Sequence, residues 1–323
     1  MPIDPAIAAL RNDPAPQRLA AAALARARAA WLEQPACAPL RDQLEAYGRG
    51  ALLDALPDLQ RLLGDRAAAV EVVDGLVAAT LPALRAHPLG QVPFRHQLAA
   101  RHGVLELLRR GRAALALLVY RPGEWPDNPT ASFSAGERHE LCLHGEGEGR
   151  VVTICAADAA RAELECRPFR FAPGWRGSFD SAAATRQVRT VRAPLVILRL
   201  AREAAEPPPA REYRLEDGQL VHQAAGDRRD SRRELALAVL GSMGHRAALP
   251  QIVQAARSGP QHVRWEAVRQ ALAMDSATGF ALLSELADDP QDDLAPPARA
   301  LRAQLLARYP QLATSGRSAP CPV

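Results

Sequence analysis

Three textures of apolar and polar positions follow one another along the chain. From about residue 14 to 110 the apolar residues recur at spacings of three and four, the period of one helix face. "PQRLAAAALARARAAWLEQ" (16–34) is crowded with alanine, the strongest helix former, and "GALLDALPDLQRLLGD" (50–65) lines its leucines into one stripe. "RAAAVEVVDGLVAATLPALRAH" (66–87) extends the pattern, and "RHQLAARHGVLELLRRG" (95–111) is read as a closing helix stopped at Gly111. On that helix His96 and His102 stand about 240° apart, so they share no face, whereas Arg95 and His102 do.

From about 112 to 225 the pattern switches to strands. "AALALLVYR" (113–121) is apolar on both alternating faces, as in a strand covered on both sides. "RAELECR" (161–167) alternates, with Ala162, Leu164 and Cys166 on one side. "GRVVTIC", "TRQVRTVR", "APLVILRLARE", "REYRLED" and "GQLVHQ" add short strand candidates, joined by turn-like "RPGEWPDNP", "SAGE", "HGEGEG", "APGWRG" and "EDGQ". Many short strands with such turns predict an antiparallel sandwich or barrel.

From about 230 to 310 helices return as repeated pairs. "SRRELALAVLGSMG" leads into "HRAALPQIVQAARSG", and "PQHVRWEAVRQALAMD" into "SATGFALLSELADDP", with "PPARALRAQLLARYP" after them. Arg233 and Arg264, Leu237 and Val268, and Met243 and Met274 correspond at an offset of about 31 residues, a period that signals stacked helical hairpins. Gly241, Gly244, and Gly259 with Pro260 stand where such hairpins turn. The segment resembles HEAT-type repeats, and the resemblance implies a superhelical surface for binding other macromolecules.

The expected fold class is therefore α+β. A helical segment (1–111) precedes an antiparallel β-sandwich (112–228), HEAT-like helical hairpins (229–310) and a flexible tail (311–323).

Composition narrows the function classes. Hydrophobic residues make up 48% of the 323 positions, enough for a sizeable core, but aromatics only 4%, so Leu, Ala and Val must build it. All 40 basic residues are arginine, the mark of a GC-rich bacterial coding sequence, and the net charge is +4. The arginines are interleaved with acids instead of gathered on one face, which argues against a nucleic-acid binder. The start, "MPIDPAIAALRND", lacks the basic and apolar regions of a signal peptide, and no run of about 18 apolar residues is seen. Five cysteines without metal-finger spacing point to a reduced cytoplasm.

Phosphate-loop, dinucleotide and nucleophile-elbow motifs are missing. The most chemistry-rich stretch is "GERHELCLHGEGEGR" (136–150). Read as a strand, it puts His139, Leu141 and Leu143 on the buried side and Glu140, Cys142 and His144 outward. The "GEGEG" that follows is read as a glycine-rich turn. His139, Cys155 and Cys166 are the inward candidates for a non-standard metal shell of soft ligands. No cofactor is expected.

A strand ending in "YRPG" (120–123), followed by a β-rich run with "FAPGW" (171–175), resembles the cupin superfamily. The order "VPFRHQL … ALALLVYRPG" is similar to that of its thiol dioxygenases. Those enzymes place two histidines and a carboxylate after the Pro-Gly to hold iron. Here "EWPDNPTAS" (124–132) offers no histidine, Pro129 and Ala131 occupying the expected places, and "APGWRGSFDSAA" (172–183) offers none for the later ligand. The resemblance thus implies the fold without the iron chemistry.

The expected function is a catalytically silent accessory or interaction protein with a protein or peptide partner. The alternatives are a metalloenzyme with the non-standard shell and a sensor for an acidic small molecule. Loop tryptophans Trp125 and Trp175, with Arg176, mark the sandwich mouth. Arg264, Trp265 and Arg269 mark the helical repeats, tryptophan and arginine being the residues that most often carry interface energy.

Overall fold

The computed structural model describes Ile7 and residues 13–313. Most of residues 1–13, read above as lacking a leader, and the tail from 314 onward, with Cys321, lie outside the described residues. The chain divides between Gln223 and Ala224 into two compact units.

Among the residues described from 13 onward, the first unit carries the helices α1 (Ala15–Leu32), α2 (Ala38–Arg49), α3 (Pro57–Gly64) and α4 (Arg66–Ala86). Proline in the first turn starts α1, α2 and α3, where its missing N–H costs nothing. Asp65 caps α4 by accepting from the Ala67 amide. Trp31 Nε1 donates to Val72 O at 3.0 Å and so ties α1 to α4. By length and composition α4 could cross a membrane, with mean hydropathy 1.6, contrary to the expectation that no such run exists. It nevertheless carries Glu71 and Asp74, and its Ala69, Val72 and Leu76 lie in the same core cluster as Trp31, Leu44 and the leucines of the sheet.

Eleven strands follow. β1 (Arg95–Leu98), β2 (His102–Arg110), β3 (Ala113–Tyr120), β6 (Gly136–Ala157), β7 (Ala162–Phe171) and β9 (Ala184–Glu203) form an antiparallel sheet in the order β1-β2-β3-β9-β6-β7. β4 (Gly123–Glu124) pairs with β9 and β8 (Arg176–Asp180) with β6. A second sheet runs β11 (Leu220–Ala224), β10 (Ala210–Arg214), β5 (Thr130–Phe133). It packs Ala131, Phe133 and Tyr213 against Val152 and Ala162.

Alternation along the main sheet decides what each face meets. Leu115, Leu117, Leu141, Leu143, Leu198 and Leu200 join the helical core. Ala116, Leu118, Cys142, Leu195 and Ile197 point the other way, into a cluster with Phe171, Trp125 and Trp175. Both faces are covered, which is why β3 is buried from Ala113 through Leu118. The unit is cupin-like: helices outside, and an antiparallel sheet folded around an apolar interior.

Three expectations are corrected. Residues 95–111 are strands β1 and β2, not a helix, so His96 and His102 lie on paired strands opposite Leu105 and Tyr120. A bulge between Glu106 and Leu108 breaks the alternation, and the resulting leucine spacing mimics a helix face. Next, "GEGEG" is not a turn but the middle of the 22-residue β6. Its glycines are the inward positions: a Cβ on Gly145 would lie 2.1 Å from Pro194 O, and one on Gly147 2.5 Å from Thr190 O. Glycine here permits close approach of β9, and Gly145 also holds φ at +90°, a conformation that side chains resist. Finally, "TRQVRTVR" and "APLVILRLARE" form the single 20-residue β9.

The second unit holds α5 (Arg228–Ser242), α6 (Leu249–Arg257), α7 (Gln261–Met274), α8 (Ser276–Asp288) and α9 (Ala295–Arg308). These are the helices expected from the 31-residue offset. Asp227 caps α5 and Asp275 caps α8. The equivalent Leu237 and Val268 are both buried, with Ile252, Leu283 and Ala298, in one core.

Candidate functional site

The most unusual environment in the β unit surrounds Glu140. Its side chain is 0% exposed, although the alternation of β6 had assigned it, with Cys142, to the outer side. Cys142 is likewise buried. The reason is that the sheet has no solvent side at this level: helices cover one face, and the folded sheet covers the other.

Glu140 accepts from Arg186 Nε at one oxygen and from Arg199 Nε at the other, the latter at 2.7 Å. Arg138 Nε approaches the same second oxygen at 3.8 Å. Arg186 also reaches Tyr120 Oη at 3.5 Å and lies over the Phe171 ring. Burial alone would push the Glu140 carboxyl up; Arg186, then Arg199, and Arg138 outweigh it and hold it at about 2. Burial lowers Arg138 to about 10, against the pull of Glu140, with Arg199 and Arg186 repelling it further.

On the helix-facing side of β6, Tyr47 Oη donates to Glu137 Oε2 at 3.0 Å. Arg202 pairs with Glu137 and donates to Tyr47 O at 3.0 Å and Ala51 O at 2.8 Å. These bonds lock α2 onto the sheet. His139 sits beside this lock, its Nδ1 3.0 Å from Ser178 Oγ. Burial lowers its basicity, with Glu137 opposing.

The structure does not bring the three metal candidates together. His139 is half-buried against Tyr47, while Cys155 and Cys166 are exposed. A bulge between Ile154 and Ala156 takes Cys155 out of the alternation. Cys166 lies on β7, an edge strand with no further strand beside it. No group of three or more His, Cys, Asp or Glu that could hold a metal occurs among the described residues.

Trp125 and Trp175 both pack on the inner cluster. Trp175 stacks on Phe169 with centroids 4.9 Å apart. Trp125 meets Tyr120 edge-on at 5.4 Å, and its buried Nε1 has no hydrogen-bond partner. Trp125 also lines a cavity of about 650 Å³ with Phe169, Arg150, Arg170 and Arg189. Arg176 is spent elsewhere, donating to Gly64 O at the end of α3.

In the helical unit, Arg264 is a clasp: it pairs with Asp292 and donates to Ala256 O at 3.2 Å. Trp265 packs on the helical core, and Arg269 pairs with Glu266 at 3.0 Å on the surface. The open feature lies elsewhere, in a groove of about 520 Å³ lined by Arg233, Ala236, Leu237 and Leu240 of α5, Gln251 of α6 and Val263 of α7. α5 and its C-cap Met243 expose Leu235, Val239 and Met243 at 65%, 45% and 70%, one apolar stripe at a spacing of four.

Sequence reasoning missed Arg138, Glu140, Arg186 and Arg199. The available signal was a glutamate set among Leu141, Cys142 and Leu143 in "HELCL", a charge where an apolar residue belongs.

Residues 219–302 match the family model described as HEAT repeats. Comparison with curated proteins finds no match. Among solved structures, the chain is similar to a vicilin from Capsicum annuum at 12% identity and TM-score 0.28, over 37% of this chain and 32% of that one. It is similar to a 7S globulin from Momordica charantia at 15% identity and TM-score 0.27, over 38% and 35%. A third is an ectoine synthase from P. lautus, at 13% identity and TM-score 0.23, over 33% and 67%. The chain thus spans about a third of the length of the vicilin and globulin chains. In class, it is a cupin-like β unit preceded by helices and followed by a HEAT-like helical region.

Proposed function

We propose that this chain is a catalytically silent accessory or interaction protein. It recognises a protein or peptide partner through its helical repeats, with the mouth of the β unit as a second contact, and acts in the cytoplasm. The observation that carries the reading is the α5–α6–α7 groove. It is a concave surface that sets Leu237, Leu240 and Val263 among Gln251, Gln254 and Ser258, with Arg233 as its one ionisable lining residue, and it lies beside a helix that, with its C-cap Met243, leaves three large apolar side chains in water. Exposed apolar patches of this kind mark interaction sites. Arg233, 64% exposed although it pairs with Asp230 at 3.2 Å, favours an amphipathic partner segment with an acidic residue next to its apolar anchor. The β unit supports the silent half of the reading, because its interior is filled by Leu118, Cys142, Phe171 and Ile197 and by the Glu140–Arg186 pair.

The test is affinity capture from native lysate at near-endogenous levels, with the intact chain and with Ala236→Trp, which fills the groove. Circular dichroism checks that the variant is folded. A partner recovered by the parent and lost by the variant is the expected result. Identical sets of captured proteins, or none specific to the parent, overturn the proposal.

A further inference from the structure

Inside the β unit, three guanidiniums face one carboxylate. Both oxygens of Glu140 are engaged, by Arg186 and by Arg199. Arg138 approaches the second of them only at 3.8 Å, and its Nε and Nη2 are buried without a hydrogen-bond partner. Buried donors are nearly always satisfied, and leaving a charged one unmet is costly. The cluster therefore carries a surplus of positive charge and a guanidinium edge with unmet donors.

We propose that this is a small oxyanion site, in which Arg138 and Arg199 bind a phosphate or carboxylate group. The planar, multi-donor guanidinium is the side chain best matched to either. The placement suits it. Arg186 and Glu140 are sealed, at 3% and 0% side-chain exposure, whereas the Arg138 and Arg199 side chains keep 17% and 25%, and the buried Nε and Nη2 of Arg138 meet an anion once that side chain turns. Their ladder neighbours on β3 and β9 are Ala114, Ala116 and Ala201, whose methyl groups leave a guanidinium room to turn. The Phe179 ring lies 5.3 Å from the Arg138 guanidinium and supports it from one side. Glu140 then acts as a fixed internal counter-charge: it holds Arg186 with one oxygen and the Arg199 Nε with the other, and leaves Arg138 and the terminal nitrogens of Arg199 for the guest. The site is distinct from the helical groove and does not depend on the partner proposed above.

The experiment is a melting-temperature titration of the full chain with inorganic phosphate and, separately, acetate, against chloride at matched ionic strength. A native-state ligand raises the melting temperature with its concentration. The expected result is a saturable rise with phosphate or acetate beyond that of chloride. The rise is lost in Arg138→Met and kept in Arg176→Met, whose guanidinium binds Gly64 O instead. Which anion acts at lower concentration tells phosphate from carboxylate. Calorimetric titration of the unmodified chain gives an answer even if Arg138→Met fails to fold. No saturable heat with either anion, or an unchanged response in Arg138→Met, overturns the proposal.

Discussion

Arg186 and Glu140 belong to opposite halves of one bent ribbon, yet their side chains share a buried ion pair. On β6 the register partner of Arg186 is Val151, eleven positions beyond Glu140. In a straight strand that separation is about 36 Å. The pair forms because the β6–β9 ribbon folds over at the register shifts between Cys142 and Gly149. The contact is a clasp between two walls.

Removing the carboxylate should open that clasp. Glu140→Gln keeps the shape but leaves Arg186 buried without a counter-charge, and breaking a buried pair in this way costs about 3–5 kcal/mol. Urea unfolding followed by tryptophan fluorescence in a Trp265→Phe background reads the first unit, because Trp31, Trp125 and Trp175 all lie there. The midpoint should fall with little change in slope.

The same carboxylate sets an acid limit. Its folded value near 2 lies below the ordinary glutamate value of about 4.3. Its stabilising contribution is then complete above that ordinary value and is lost as pH falls toward 2. The stability gap between the parent and Glu140→Gln should be constant from about pH 7 to 5 and should close between about pH 4.5 and 2. Denaturant midpoints taken across that range check it; a gap that widens on acidification contradicts the clasp.

The four thiols among the described residues should divide into two classes. Burial, with Glu71 adding, pushes Cys37 up to about 11, and burial does the same for Cys142. Cys142 also donates its thiol proton to His144 O. Cys155 and Cys166 are exposed. Alkylation at neutral pH, mapped by peptide mass, should modify Cys155 and Cys166 in the folded chain and reach Cys37 and Cys142 only after denaturant is added.

Much of the architecture was legible where one period ran without interruption. The alanine-rich α1, the leucine stripe of α3 and the repeated hairpins of α5 to α9 carry a helical period. Ala113–Tyr120 carries the unbroken apolar run of a doubly covered strand. The pattern failed where a local device altered it: the bulge after Glu106 made β2 look helical, and the inward glycines of β6 looked like a turn. The charged cluster was hidden for a different reason. Arg186 and Glu140 are 46 residues apart and meet only across a bend, so no local spacing announces them. Trp125, Trp175 and Trp265 were singled out as candidate contacts for a partner or ligand, and all three pack against cores. Arg176 and Arg264, also singled out, are engaged as structural ties.

The β6–β9 ribbon also governs the order in which the chain can acquire its shape. Its rungs close loops that run from 31 residues at Thr153↔Ala184 to 67 at Gly136↔Glu203, and each closure costs chain entropy before any contact returns it. The helical hairpins after Ala224 need only neighbouring segments and can form on far shorter timescales. On the ribosome, then, β6 can pair with β7 and β8 as they emerge, but its other edge must wait until β9 has emerged. Its exposed His144 and Glu146, together with the glycines between, keep that waiting segment poor in sticky surface.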